Sequence, residues 1–467
     1  MKAVAELCYS IVSSQCRLNG VMVYGSRAIK AEYKEKISNL YTIIETLVNA
    51  PEINKEYCSS KGISAASICR QALKLLSLET LIPPYKTRTP EKDYVQLLQH
   101  LANTLSSSNG SGQLQEELDS TAFYDQNRDS EDISDSEHFH HATTVNKDQK
   151  LPIVFSPNYD ISAYGIERFH PFDAKKYGKI WNLLTQTIQL NTDAIYTPTS
   201  VSDEDLALVH TPQYISSLKS STTLGILADM DSLGWLPNRF VEKILLDPVK
   251  LATGGTILAS QLALKHGWAI NISGGYHHAK SQELVRGFCI INDICIAAKK
   301  VQALHSDDFR IMIVDLDAHQ GNGHEELVKN DRNIAVFDMY NKDTWPADYP
   351  CQERINFDYP LQAKTQDNNY MQLLIQELPK AIEQVKPHLI IYNAGTDIYE
   401  KDPLGMLSIT RQGIIKRDEF VFRTALNGSI PIVMVLSGGY HADSYSIIAE
   451  SIENLWRKLL VHTYEQQ

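Results

Sequence analysis

The stretch Ile311-Met312-Ile313-Val314-Asp315-Leu316-Asp317-Ala318-His319-Gln320-Gly321-Asn322-Gly323-His324 decides how the chain is read. Its first four residues are an unbroken apolar run, the pattern of a strand buried on both faces of a parallel sheet. The run ends in two carboxylates and an imidazole, after which Gly321-Asn322-Gly323 lets the chain turn away. In open α/β sheets ligands bind just beyond the carboxyl ends of the strands. Charged groups emerging there are costly to bury unless they are paired or hold a metal. Asp317 and His319 lie two apart, so on an extended backbone they point to one side and offer an oxygen and a nitrogen to a zinc ion. Asp315 falls on the same face as a partner.

Composition sets the outer bounds. The 467 residues are 43% hydrophobic and 21% charged, enough for a large core and two or three segments of distinct character. A net charge of −12 argues against direct nucleic-acid binding while leaving a basic peptide substrate open. Seven cysteines without a Cys-x-x-Cys pair imply neither a disulfide framework nor a cysteine zinc site. A reducing compartment, cytoplasmic or nuclear, fits best, and a bacterial protein delivered into a host cell would read the same way. No apolar stretch is long enough to be a transmembrane segment, and the N-terminus, interrupted by Glu6, is a poor secretory signal.

Along the chain, residues 1–105 show helical spacing, as in Ile37, Leu40, Ile43, Ile44 and Leu47, without catalytic groups. A small helical region for packing or for a protein partner is expected there. Residues 106–150 change to a Ser/Gly-rich and then acidic, serine-bearing linker, in which His138, His140 and His141 read as incidental. From Leu151 to the end the texture is globular. Strands are expected at 152–155, 268–272, 311–314, 334–339, 389–392 and 431–436. Helices are expected at 172–184, 247–264, 290–301, 370–385 and 444–460. Strands alternating with helices predict a parallel sheet covered on both faces, one α/β domain over 151–467.

Four of the strands share a grammar of buried run, small residues and polar group. Their tips supply His277-His278, Asp315/Asp317/His319, Asp397 and Tyr440. Parallel strands place all four tips at one edge of the sheet. Asp317, His319 and Asp397 then form a three-ligand site with open positions, the arrangement of a catalytic zinc. The adjacent imidazoles provide a base for a metal-activated water attacking an amide, with Asp315 and Asn322 as partners that fix their tautomers. The hydroxyl of Tyr440 offers an oxyanion donor, and Gly438-Gly439 before it allows close approach. Each piece alone has a bland reading. Asp402, before Pro403, reads as a turn residue, and Cys289 and Cys295 as packed core.

The motifs PIVFSPNYDI, HPFDAKKYGK, TGGTILA, GWAINISGGYHH, RGFCIINDICIA, VDLDAHQGNGHE, YNAGTDIYEKDPLGMLSI, GIIKRDE and PIVMVLSGGY resemble, in order over residues 151–460, the zinc-dependent histone deacetylases. The resemblance is strongest to the class IV branch. It implies the arginase/deacetylase-like three-layer sandwich. It also implies zinc ligands Asp317, His319 and Asp397, a general base His278 paired with Asn322, an electrostatic His277 buttressed by Asp315, and a carbonyl-polarising Tyr440. Gly287 and Phe288 would line the acyl-lysine channel, and a potassium ion would sit by Asp315, Asp317 and His319. The expected substrate is an acylated-lysine protein or peptide, with long-chain fatty acyl groups favoured over acetyl. The loop 279–286, AKSQELVR, is less glycine-rich than the class IV pattern suggests. Three rivals stand beside this reading. A binuclear manganese ureohydrolase would need a carboxylate where Gly321 stands. A small-molecule acetylamine or polyamine deacetylase would show an acidic gate at the channel mouth. A weakly active interaction protein would work through residues 1–150.

Overall fold

The computed structural model describes residues 150–161, 172–188, 190 and 192–461. The helical region expected over 1–105 and nearly all of the linker, with its three histidines, lie outside them. Among the described residues seven strands form one sheet: β1 Ile153–Val154, β2 Trp268–Asn271, β3 Ile311–Asp315, β4 Ile334–Asn341, β5 Phe357–Leu361, β6 Leu389–Asn393 and β7 Ile432–Val435. All pairs are parallel, in the order β1-β2-β7-β6-β3-β4-β5. The main helices are α1 Lys176–Thr187, α2 Asp247–His266, α3 Asp293–Gln302, α4 Asn322–Val328, α5 Asp367–Val385, α6 Arg411–Asn427 and α7 Ser444–Leu455.

Two cores follow from the period-two alternation of the strands. Met312, Val314, Ile390, Tyr392, Ile432 and Met434 face one side, where they pack with residues of α1, α5, α6 and α7. Ile311, Ile313, Leu389, Ile391, Val433 and Val435 face the other, against Ala259 and Leu262 of α2 and Ile294, Cys295 and Ala298 of α3. The apolar run of β3 is fully buried, each side chain contributing roughly 1.5–3 kcal/mol. This is the expected three-layer α/β sandwich.

Element starts moved where local hydrogen bonds cut the apolar pattern short. The expected helix at 172–184 begins at Lys176, because residues before it form a turn in which Asp173 accepts from the Lys175 amide. The helix expected from Ile290 begins at Asp293, where Asn292 accepts from the Cys295 amide and caps it. Two elements lacked a clear sequence signal. Strand β5 carries Asp358 and Pro360 in place of an apolar run, which an edge strand tolerates. Helix α6 is polar on average, yet buries Arg417 and Asp418 as an ion pair.

Candidate active site

Adjacent strands β2, β7, β6 and β3 deliver the polar tips to one edge, each a few residues beyond its strand. Beyond β3 and β6, Asp317, His319 and Asp397 converge, with one ligand atom of each within 4.8 Å of the others. His319 Nδ1 lies 2.9 Å from Asp397 Oδ2 and 3.1 Å from Asp317 Oδ1. Backbone and hydroxyl groups aim the carboxylates: Asp317 Oδ2 accepts from Ser437 Oγ at 2.8 Å and from the Gly438 amide at 2.9 Å. Asp397 Oδ1 accepts from the Ala318 amide at 2.8 Å. All three side chains are buried. Burial and the neighbouring Asp317 carboxylate push Asp397 up to about 7. Two carboxylates so placed resist charging together, and a divalent cation between them removes the conflict. The donors therefore fit a zinc ion.

The His277-His278 rings are stacked at an angle with centroids 4.0 Å apart, and their surroundings drive them in opposite directions. Burial opposes charge on His277, but Asp315 and Asp317 outweigh it and raise the imidazole to about 9. Its Nδ1 lies 2.7 Å from Asp315 Oδ2, and Asp315 is itself held by the Asn393 amide at 2.9 Å. Burial and the charges of His277 and His319 push His278 well down. His278 Nδ1 donates to Asn322 Oδ1 at 2.9 Å, which leaves Nε2 as the lone-pair nitrogen. One charged and one neutral imidazole side by side is how environment separates an electrostatic role from a base.

Tyr440 closes the site from β7. Burial, then Asp397 and Asp317, raise its hydroxyl well above the ordinary range, so it stays a donor at neutral pH. Its ring meets Phe288 at 5.7 Å and His319 at 6.1 Å between centroids. Gly438 is required by contact: a Cβ there would collide with carboxylate oxygens of both Asp397 and Asp317. Gly439, at φ +140°, lies where only glycine is at ease. Gly287, Phe288, Trp345, Thr344, Leu404 and Tyr440 line the mouth, an open cavity. A second, mostly apolar cavity opens beside His277, His278 and Tyr440. It runs between Phe172, Ala228, Met230, Leu245, Val249 and Cys289.

Several contributors escaped the sequence reading. Lys176 is fully buried and donates from Nζ to Ser437 O at 2.6 Å, beneath the loop that carries Tyr440. Burial lowers it to about 8 despite the carboxylates of Asp397 and Asp317. A signal existed, since Lys176 lies four residues before the buried Ile180 and so on the same helical face. Asp402 is the turn residue expected, accepting from the Leu404 and Gly405 amides. It also reaches across to the Tyr440 and His441 amides.

An α/β sandwich with this constellation at the strand tips defines a metal-dependent amide hydrolase. The histone deacetylase domain model matches residues 170–458, and the chain belongs to that family. It is 43% identical over 316 residues to histone deacetylase 2 of Arabidopsis thaliana, covering 67% of this chain and 81% of that relative. It is 27% identical over 271 residues to the acetoin utilization protein AcuC of Bacillus subtilis, covering 55% of this chain and 68% of the relative. The solved HDA15 HD domain superposes with a TM-score of 0.55 at 18% identity, covering 68% of this chain and 94% of the other, a likeness of fold. No helix among the described residues is long and apolar enough to cross a membrane.

Proposed function

We propose that the chain hydrolyses Nε-acyl-lysine on proteins or peptides with zinc held by Asp317, His319 and Asp397, and that it takes long-chain acyl groups in the class IV manner. Zinc at that position supplies a Lewis acid for the amide carbonyl and lowers the pKa of water. His278 Nε2 takes the proton from water, its tautomer set by Asn322. His277, held charged by Asp315, stabilises negative charge nearby. Tyr440 donates to the oxyanion. Phe288 and Trp345 flank the lysine stem at the mouth.

The observation that carries the acyl reading is the apolar cavity beside His278 and Tyr440. Each methylene buried in it is worth about 0.8 kcal/mol. An acetyl group leaves that surface unused, and a longer acyl chain would reach it. The carboxylates described at the mouth are engaged by the protein's own donors, which leaves them less available to a polyamine. Asp229 accepts from Arg286 and the Gly287 amide, and Asp231 accepts from Arg286.

Purified full-length protein with Zn²⁺ is assayed on acetyl-lysine and myristoyl-lysine peptides, with a chelator control. The expected result is preferred myristoyl cleavage, lost with the chelator. Tyr440→Phe should lower kcat by about 10²–10³, the loss measured for single oxyanion donors. His278→Ala should abolish turnover. Preferred acetyl cleavage refutes the long-chain reading. Cleavage of acetylated polyamines but of neither peptide refutes the protein-substrate reading.

A further inference from the structure

Asn322 fixes the tautomer of His278 only if its own amide faces one way, and an amide side chain has no preference of its own. With Oδ1 toward the ring it accepts from Nδ1–H and leaves Nε2 bare. Turned over, its NH₂ group donates to Nδ1 and the ring proton moves to Nε2, where no base remains. An imidazole base held in the wrong tautomer can lose about 10⁴ in kcat. His278 cannot choose between the two, because either arrangement satisfies it. On the far side of Asn322 stands the half-buried Asp348, from the segment between β4 and β5. Its Oδ2 accepts from Asn322 Nδ2 at 3.2 Å and from Lys280 Nζ at 2.8 Å. Burial opposes charge on Asp348, but the hydrogen bonds from Lys280 and Asn322 outweigh it and hold the carboxyl below its ordinary range. A carboxylate only accepts, so it draws the NH₂ group to itself and turns the amide oxygen toward His278.

We propose that Asp348 and Lys280 are positioning residues for the reaction, an ion pair that fixes the amide of Asn322 and through it the tautomer of the base. The proposal rests on the assignment of His278 as that base. Both members of the pair are themselves held. Lys280 is buried two residues beyond His278, in the loop 279–286 whose composition departs from the class IV pattern. Its carbonyl accepts from His210 Nδ1 at 2.9 Å, and the carbonyl of Ala279 accepts from Asn292 Nδ2 at 3.0 Å. Glu283 takes a second Lys280 hydrogen bond at 3.1 Å from an exposed position. The backbone of Asp348 exchanges two bonds with Gln320, its amide donating to Oε1 at 2.9 Å and its carbonyl accepting from Nε2 at 3.0 Å. Asp348 Oδ1 accepts from the Cys351 amide at 3.3 Å and caps the short helix Tyr349–Gln352. That leaves Oδ2 to Lys280 and Asn322. The same segment carries Trp345, whose ring lies 4.6 Å from that of His278 between centroids. One loop therefore meets the base twice, at its ring and through Asn322.

The test is a double-mutant cycle on zinc-loaded full-length protein, read as kcat and KM on acyl-lysine peptides. The ¹⁵N spectrum of histidine-labelled protein is the second readout, with His278→Gln identifying the ring. Asp348→Ala removes the acceptor and leaves Lys280, a donor, beside Asn322, so the amide turns over. A kcat lowered by about 10–100-fold is expected, the range that one hydrogen bond to a charged group controls, with KM little changed. The His278 proton should move from Nδ1 to Nε2. Asn322→Asp alone sets two carboxylates side by side and should also slow the enzyme. The double variant should recover most of the lost kcat, because a carboxylate in place of Asn322 accepts from His278 in either orientation and from Lys280 in place of Asp348. Losses that multiply, a wild-type His278 protonated at Nε2, or an Asp348→Ala protein with wild-type kcat and tautomer would overturn the proposal. Asp348→Ser, which keeps a cap for the Cys351 amide but is too short to reach Asn322, serves if the alanine variant does not fold. The spectrum separates the two failures. A wild type inactive on every acyl-lysine peptide refutes the proposed function, whereas a His278 proton that stays on Nδ1 in Asp348→Ala refutes the positioning role whether or not the enzyme turns over.

Discussion

Replacing Asp402 by asparagine tests whether the turn beyond β6 governs the chemistry through Tyr440. The carboxylate accepts four backbone amides: Leu404 at 2.9 Å and Gly405 at 3.1 Å on one oxygen, Tyr440 at 2.7 Å and His441 at 3.2 Å on the other. An amide of the same shape keeps one oxygen and turns an NH₂ group toward the other two N–H donors. Two partly buried donors then lose their acceptor at up to about 1–3 kcal/mol each, for a total of at most about 2–6 kcal/mol. If the amide settles with its oxygen toward Leu404 and Gly405, the segment bearing Tyr440 is released. Displacing a catalytic group by about 1 Å can cost 10²-fold in rate. The expected outcome is a kcat lowered by about 10–100-fold with KM little changed, because the lost interaction matters in the transition state. The decisive comparison is a double-mutant cycle with Tyr440→Phe. If Asp402 acts by holding Tyr440, the double variant is no slower than Tyr440→Phe alone. Losses that multiply, or an Asp402→Asn enzyme with wild-type kcat and melting temperature, would refute the reasoning.

The other predictions address the metal, the acyl cavity and pH. Gly438→Ala should weaken zinc binding by about 100-fold or more, since its Cβ enters the space of the Asp397 and Asp317 oxygens. Competition with a fluorescent chelator measures this, and unchanged affinity would contradict the geometry. Ala228→Phe should fill the apolar cavity and lower the myristoyl-to-acetyl rate ratio about tenfold or more. A ratio that stays put would move the acyl chain elsewhere. His210 should make stability fall with acid. It is buried and pushed down to about 4, with Nδ1 donating to Lys280 O and Nε2 accepting from the Asn292 amide. Its folded pKa lies below the unfolded 6.5, so its contribution is complete above pH 6.5 and is lost as pH falls toward 4. At about 1.4 kcal/mol per pH unit the window is worth roughly 3 kcal/mol. Urea unfolding of wild type and His210→Gln at several pH values should show the gap between them shrinking toward acid. A constant gap would mean that His210 does not titrate in that window.

The central strands were legible because a strand buried on both faces must be apolar without interruption, and the polar residues that follow stand out against it. Parallel pairing then carried Asp317, His319, Asp397, the histidine pair and Tyr440 to one edge with no further information. What stayed hidden depends on contacts distant in sequence. Lys176 is one of three lysines within five residues, and only its position on the inner face of α1 separates it from Lys175 and Lys179. Asp402 satisfies its own turn, so nothing local signals the amides of Tyr440 and His441. Asp315 and Asp338 belong to different strands, and only the register of β3 against β4 brings them together. Strand β5 was hidden because an edge strand need not be apolar.

The order β2-β7-β6-β3 has a consequence for the chain as it is made. The two strands carrying the histidine pair and the Asp317 group are separated by a gap that only later segments fill, β6 first and β7 last. During synthesis β3, β4 and β5 can pair with their sequence neighbours as they emerge, while β2, already beside β1, waits for its second partner, which begins at Ile432. The site is therefore closed only once β7 and the residues just past it have been made. A chain stalled or cut before that point exposes two unsatisfied strand edges and has no Tyr440, which makes it inactive and a ready client for chaperones and proteases.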